Sequence, residues 1–195
     1  MYFLLFVFTV LIAAPVQAQT AVDGYKAYNS GDYETAKSII PRLAEQGDPI
    51  AMNAMGNWHA DGILVEKNQK KACDWYEKSA QADYAAAQFN YAYCFDKWGG
   101  RKRSAKNHLK WLTKAGEQSY LNAQLRLMLW YTQTNRNLAQ YWGEKAAAQN
   151  SATARVILWF ANLDDNLKQQ ASFWDITCVT IRQTLLHHNW RSCDP

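Results

Sequence analysis

The chain has 195 residues, of which 49% are hydrophobic and 19% are charged, and this balance excludes an intrinsically disordered protein. A chain of this length can form one domain with a substantial core. The formal net charge of +4 is too small to indicate nucleic-acid binding by itself, so no nucleic-acid partner is predicted.

The first element is an apolar segment that stands apart from the rest of the chain. Residues 3–14 (FLLFVFTVLIAA) form an apolar run that is too short to span a bilayer comfortably. The run leads into Val16-Gln17-Ala18, and small residues one and three positions before a cut are typical of signal-peptide cleavage sites. We therefore expect residues 1–18 to be a signal peptide and the mature protein to be periplasmic, without a transmembrane segment. The alternative is an ordinary buried N-terminal helix.

The next elements repeat at a shift of 36 residues. At that shift Ala51 aligns with Ala87, Trp75 with Trp111, Lys78 with Lys114, Tyr84 with Tyr120, and Ala87-Gln88 with Ala123-Gln124. A step of 31 residues continues the pattern from Trp111 to Trp142. A fixed period in this range indicates stacked units, none of which can bury its apolar face alone.

Each unit reads as a pair of helices. In the first helix, apolar or small residues recur at i, i+4 and i+8, beginning at Ala51, Ala87 and Ala123, which is one face of a helix. Gly62 is expected to end the first of these helices and Trp98-Gly99-Gly100 the second. Second helices are predicted at about 68–81, 104–117 and 137–149, with Ser104 as an N-cap.

The best-preserved unit, residues 51–80, closely resembles the Sel-1-like repeat, a relative of the tetratricopeptide repeat. The resemblance is carried by Ala51, Met55-Gly56, Gly62 with Val65, Lys71-Ala72, Trp75-Tyr76, and Lys78 with Ala80. Leu64 stands where the family has the second glycine of its loop. Residues 25–47, with their Gly-Asp-Tyr turn, look like a tetratricopeptide hairpin.

The resemblance covers about residues 24–162 and implies an all-α fold, a right-handed α-solenoid of antiparallel helix pairs. Within it, residues 19–48 are expected to form an N-terminal capping hairpin and residues 49–162 the repeats. Residues 163–195 are expected to form a short C-terminal helix or irregular tail, in which the β-branched stretch 175–182 could be a strand.

Four cysteines, Cys73, Cys94, Cys178 and Cys193, suit an oxidising compartment, and none lies in a CxxC motif. Cys73 and Cys94 are predicted on antiparallel helices at nearly equal distances from the turn near Tyr84. Equal distances place them at the same height, within reach of a disulfide. Cys178 and Cys193 would then pair in the tail, and buried free thiols are the alternative.

No catalytic, cofactor-binding or metal-binding residue is predicted, and the chain is expected not to be an enzyme. His59 falls on the packing stripe, and His108, among lysines and arginines, is expected on a solvated helix face. The adjacent rings of His187-His188 diverge, which disfavours a metal site. Asp164-Asp165 reads as a helix-capping pair.

A second stripe lies on the opposite side of each first helix, about 200° around its axis. It is apolar in three of four units. The expected partner-binding residues are Asn53, Asn57, Phe89, Tyr93, Leu125 and Leu129, and the stripe continues at Val156 and Phe160. Either neighbouring helices bury this stripe too, or it is the apolar floor of a concave groove for another protein.

A basic cluster surrounds the second loop and comprises Lys97, Arg101, Lys102, Arg103, Lys106 and Lys110. One interpretation is a solvated loop and helix start. The other is a landing site for an acidic partner, whose binding salt would weaken.

The resemblance implies a protein-interaction function, because Sel-1-like proteins act as adaptors and some serve as immunity proteins in Gram-negative bacteria. We therefore expect an exported protein–protein interaction module, either an adaptor or an immunity protein that neutralises a toxic effector acting in the periplasm. The alternatives are a cell-wall-related hydrolase and a structural component of the envelope. The expected partner is another protein, and no cofactor is expected.

Overall fold

The computed structural model describes residues 19–97 and 99–161, in which nine α-helices follow one another and no strand occurs. They are α1 (Ala21–Asn29), α2 (Tyr33–Glu45), α3 (Pro49–Asp61), α4 (Gln69–Gln81), α5 (Ala85–Tyr93), α6 (Ala105–Glu117), α7 (Leu121–Tyr131), α8 (Arg136–Ala148) and α9 (Ala152–Ala161). Each helix packs mainly against the next one along the chain, as in a solenoid. The all-α solenoid prediction is thus confirmed, whereas the expected signal peptide and C-terminal tail lie outside the described residues.

Side-chain caps set the start of most helices. Asp48, Asn68, Ser104 and Asn135 each accept a hydrogen bond from the backbone N–H three residues later. Such a bond satisfies one of the donors that a helix start leaves free. The Ser104 cap is the predicted one, and α8 begins at Arg136, one residue ahead of the expected start, because Asn135 is its cap.

Three-residue turns of one shape join α2 to α3, α4 to α5, α6 to α7 and α8 to α9. The middle residue of each turn has a positive φ: 88° at Gly47, 62° at Asp83, 62° at Ser119 and 63° at Asn150. The third residue then donates to the carbonyl five residues back, as in the bond from Tyr120 N to Ala115 O at 3.1 Å. This is the Schellman arrangement, and it folds each helix back against its predecessor.

The core is built from small residues at the helix crossings and from repeated glutamines. Ala51, Ala87, Ala123 and Ala154 are each 0% exposed. Gln88 and Gln124, both buried, donate to the carbonyls of Ala80 and Gly116 at the ends of the preceding helices. Gln118 then donates to Gln88, and Gln149 to Gln124, so that each buried glutamine links the preceding helix to the far end of its own unit.

Helix α5 ends earlier than the sequence suggested. It stops at Tyr93, well before the Gly99-Gly100 pair. Residues 94–96 continue with hydrogen bonds between residues three apart, as in the 3.0 Å bond from Cys94 N to Tyr91 O. This tighter winding changes the direction of the chain before Gly99 and Gly100.

Candidate functional site

Alternate helices form the inner side of the solenoid. Helix α3 contacts both α1 and α5 directly, in addition to its neighbours α2 and α4. Helices α1, α3 and α5 therefore lie closer together than the even-numbered helices between and beside them, and the face that they share is the inner one. We call the surface along α1, α3, α5 and α7 the repeat groove.

An asparagine cluster, comprising Asn53, Asn57 and Asn90, lies in the middle of the repeat groove. The Asn90 Nδ2 donates to Asn53 Oδ1 at 2.9 Å and approaches Asn57 Oδ1 at 3.4 Å. The Tyr76 hydroxyl also donates to Asn57 Oδ1, at 2.9 Å. The Asn53 amide reaches the Tyr25 hydroxyl at 3.5 Å. Side chains from four helices are thereby fixed relative to one another.

Two cavities flank the asparagine cluster. The larger, of about 370 Å³, is lined by residues that include Tyr76, Asn90, Tyr93 and Asp96. The smaller, of about 140 Å³, is lined by residues that include Tyr25, Tyr28, Asn57 and Trp58. Aromatic walls with a few fixed polar groups are the usual construction of a recognition site.

The tyrosine hydroxyls of these cavities are neutral hydrogen-bonding groups. Burial raises the pKa of Tyr25, Tyr76 and Tyr93 above the ordinary value of 10.0. The Tyr93 hydroxyl is fully buried and has no hydrogen bond of ordinary geometry among the described residues. The Arg126 guanidinium lies over its ring, 5.7 Å from the centroid, and partly offsets the effect of burial on its pKa. Tyr93 therefore contributes its ring to the wall of the larger cavity, whereas its hydroxyl has no accessible surface.

The structure divides the predicted partner-binding stripe into three classes. Asn53, which is 4% exposed, and Asn57 belong to the asparagine cluster. Phe89 and Leu125 are half-buried against the third core cluster, and the Phe89 ring lies 5.3 Å from that of Tyr120. Tyr93 lines the larger cavity, and Leu129 is 39% exposed. The side chains of Val156 and Phe160 lie outside the description.

Cys73 and Cys94 form a disulfide with a Cα–Cα distance of 5.8 Å, joining α4 to the residue that follows α5. Both residues line the larger cavity. The second expected pair, Cys178 with Cys193, lies outside the described residues.

His108 is not on a solvated face, and that prediction was wrong. The residue is 5% exposed, and its Nδ1 lies 3.1 Å from the Ala92 carbonyl and 2.9 Å from Asp96 Oδ1. Its ring meets the edge of Tyr93 and stacks on Trp130 at 5.6 Å. The sequence did contain a signal, because the repeat alignment pairs His108 with Ala72 and Ala139, which are both buried. His108 therefore supports the back of the larger cavity.

Within the basic cluster, Arg101 forms ion pairs with α4, and the other five residues are exposed. Arg101 contacts Asp74 Oδ1 at 2.7 Å and Glu77 Oε2 at 2.8 Å, and these carboxylates raise its pKa against the opposing effect of burial. Lys97, Lys102, Arg103, Lys106 and Lys110 are exposed. The pairing of Arg101 fastens the loop between α5 and α6 onto α4.

Within residues 19–97 and 99–161, no group of three or more His, Cys, Asp or Glu residues could hold a metal ion. His59 is half-buried, with its Nδ1 3.2 Å from the Glu66 carbonyl, and His187-His188 and Asp164-Asp165 lie outside the description. No helix in the same part of the chain has the length and apolar character needed to cross a membrane. The arrangement can bind a ligand by packing and hydrogen bonds.

Comparison with known proteins gives a consistent result. The Sel1 repeat pattern matches residues 49–84, 85–120 and 129–151. The first two matches coincide with the pairs α3–α4 and α5–α6, and the third covers the end of α7 and all of α8. Chitin synthase regulatory factor 3 of Schizosaccharomyces pombe is 29% identical over 108 residues, which are 51% of this chain and 12% of that protein.

Two solved structures resemble this one over most of its length. A Sel1 repeat protein from Oxalobacter formigenes has a TM-score of 0.64 at 29% identity, covering 71% of this chain and 59% of that one. A protective antigen present in uropathogenic Escherichia coli strains, which displays an SLR fold, has a TM-score of 0.65 at 26% identity. That match covers 84% of this chain and 37% of the antigen, so all three relatives extend well beyond the part that this chain matches.

Proposed function

This chain carries Sel1 repeats, as the proteins of the Sel-1-like repeat family do, and from that premise we propose that it is an exported protein-interaction module whose repeat groove binds the partner. Sel1 repeat proteins act as protein–protein interaction modules and are typically non-catalytic scaffolds. The repeats therefore suggest a protein partner, and the groove is the surface that the present geometry favours for it.

The observation that carries the proposal is the asparagine cluster between the two aromatic-lined cavities. Its amides are held in a fixed geometry by bonds between side chains from four helices, which lowers the entropy lost on binding. The cavities beside it would accept an apolar side chain of the partner, and the amides would bond to a polar group next to that side chain.

The narrower proposal is that the partner is a toxic effector acting in the periplasm and that this chain is its immunity protein. It rests on the family resemblance, with support from the disulfide, which is compatible with a secreted protein. An adaptor role in an envelope complex is the second candidate, and the same groove supports it equally. The asparagine cluster and the tyrosines contain no acid–base pair, and the His108–Asp96 pair beside the larger cavity has its imidazole buried against Tyr93, so the described geometry does not favour the cell-wall hydrolase alternative.

The test compares two leucines of almost equal exposure on opposite faces. Leu129, 39% exposed, occupies in α7 the position that Tyr93 has in α5, whereas Leu138, 37% exposed, lies on α8 in the outer series. Changing Leu129 to Gln should weaken capture of the partner from envelope extracts about tenfold or more, because a buried leucine contributes about 1.5–3 kcal/mol. The matched change Leu138→Gln should leave capture unaltered. Equal capture by both variants would contradict the assignment of the groove.

A second variant, Tyr93→Phe, removes the hydroxyl and keeps the ring. It should raise the free energy of unfolding by about 1 kcal/mol, because a hydroxyl buried without a hydrogen bond is lost. Partner binding should stay nearly unchanged, because the ring that lines the cavity is kept and the hydroxyl has no accessible surface. A large loss of binding in this variant would show that the hydroxyl becomes accessible in the complex.

A further inference from the structure

The outer face of the solenoid carries a line of unpaired cations, which we call the basic ridge and define as Lys102, Arg103, Lys106, Lys110 and Lys114. The last three lie on successive turns of α6, and all five are exposed. Eight residues of helix rise by about 12 Å, so the three lysines form a straight row of that length. The buried side of the same helix carries His108, Leu112 and Ala115.

Nothing within the described parts of the chain neutralises the ridge. None of its five residues forms an ion pair there, and the nearby carboxylates of Asp74 and Glu77 are already engaged by Arg101. Like charges four residues apart destabilise a helix by about 0.2–0.5 kcal/mol per pair. A negatively charged partner would reduce this repulsion between the lysines, so the ridge favours anionic partners.

An aromatic ring lies among these cations, and the next outer helix also exposes an aromatic and an apolar side chain. Trp111 is half-buried, with the ammonium groups of Lys114 and Lys110 at 4.8 Å and 5.8 Å from its ring centroid. On α8, Tyr141 is 46% exposed beneath Lys145, and Leu138 is also exposed. Lysines with apolar stems beside amphipathic rings suit the headgroup region of a bilayer.

The position of the ridge on the solenoid favours one class of anionic partner. Contacts between alternate helices hold α3 and α5 close on the inner side, so α6 lies on the outer side, away from the repeat groove. An extended anionic surface can meet the lysine row of α6 along its whole length of about 12 Å. We propose that the basic ridge docks the protein on an anionic lipid surface, which leaves the repeat groove facing away from the membrane and free to bind its partner.

The experiment measures binding of the purified protein to vesicles by co-sedimentation. Vesicles of phosphatidylcholine containing about one third phosphatidylglycerol should bind the protein, and vesicles of phosphatidylcholine alone should not. About 1 kcal/mol is contributed by each Lys or Arg near such a surface, so the triple variant Lys106→Gln, Lys110→Gln, Lys114→Gln should bind about 100-fold more weakly. At about 1 M salt, where the Debye length is about 3 Å, binding of the wild type should be lost.

The matched control removes the same charge elsewhere. Arg42, Lys67 and Lys70 are exposed residues outside both the ridge and the helices of the repeat groove, and their triple change to Gln should leave vesicle binding nearly intact. Equal loss in both triple variants, or equal binding to neutral vesicles, would overturn the proposal. The proposal would also be overturned if the protein bound a polyglutamate chain through the ridge but did not bind anionic vesicles. Capture of the groove partner in solution should be the same for both triple variants, so a failure of the ridge is distinguishable from a failure of the groove.

Discussion

Two residues of the candidate site, His108 and Tyr93, show how well the position of a residue in its helix predicts where its side chain lies. His108 has the flanking lysines of an exposed residue, yet it lies on the buried face of α6, one turn before Leu112 and two turns before Ala115. Charge in the immediate neighbourhood was therefore a poorer guide than the position within the repeat. Tyr93 shows the reverse case, because its place in the stripe was evident but its unpartnered hydroxyl depends on what surrounds it.

The disulfide between Cys73 and Cys94 leads to a prediction at the residue scale. The bond closes a loop of 21 residues, and changing both cysteines to Ala should lower the free energy of unfolding by about 3 kcal/mol. Urea titration of the oxidised wild type, the reduced wild type and the double variant measures the effect. The reduced wild type is the control for packing, because it keeps both side chains.

Peptide mapping without reductant checks the same assignment directly. A peptide that joins Cys73 to Cys178 or Cys193 would contradict the pairing. An unfolding free energy that reduction does not change would show that the bond contributes nothing to stability.

At the scale of elements, the loop between α5 and α6 departs most from the regular repeat. It leaves α5 early, crosses back over α4, and is held there by the disulfide and by the two carboxylates that bind Arg101. Its backbone also returns to α5, since Arg101 N donates to Cys94 O and Ser104 N to Phe95 O, both at 3.0 Å. The loop therefore forms one wall of the larger cavity, which Asp96 and Gly99 line.

The prediction at this scale compares neighbouring cations of the loop. Changing Arg101 to Gln should lower the free energy of unfolding by about 1 kcal/mol and should speed hydrogen exchange at the amides of Arg101 and Ser104. The matched change Lys102→Gln should alter neither, because Lys102 is exposed and forms no ion pair within the described residues. Similar exchange rates in the two variants would show that the disulfide alone holds the loop.

At the scale of the whole molecule, the solenoid separates two surfaces of different chemistry. The repeat groove carries tyrosines and amides, and the outer face carries the basic ridge with Trp111. The separation follows from the pairing of helices, because α1, α3 and α5 contact one another on the inner side and α6 lies outside them. If both proposals hold, we expect the two surfaces to bind their partners without competition.

The compartment is also a property of the whole molecule, and we predict export with cleavage after Ala18. Mass spectrometry of protein recovered from the cell envelope should find a mature chain that begins at Gln19, because Val16-Gln17-Ala18 has the form of a signal-peptidase site. A variant with Ala18→Arg is the control, since it should block the cut and leave the longer chain. A wild-type chain that still carries Met1 would contradict the prediction.

The sequence by itself determined the helical repeat, the caps and the pairing of helices, because these depend on interactions between residues near one another along the chain. Ser104 could be named as a cap from its place before an amphipathic run, and Ala51, Ala87 and Ala123 as crossing points from their period. The stripe was found in the same way. Its division into the asparagine cluster, the packed Phe89 and Leu125, the cavity-lining Tyr93 and the exposed Leu129 was not.

Only the tertiary structure decided which atoms meet across the units. The bonds from Asn90 to Asn53 and Asn57, the burial of the Tyr93 hydroxyl and the capture of Arg101 by Asp74 and Glu77 each join residues more than twenty positions apart, or depend on such neighbours. The early end of α5 was also decided by the tertiary structure, because the loop that follows this helix is fastened to α4. A repeat period places side chains on faces, but the distances between faces are set by packing.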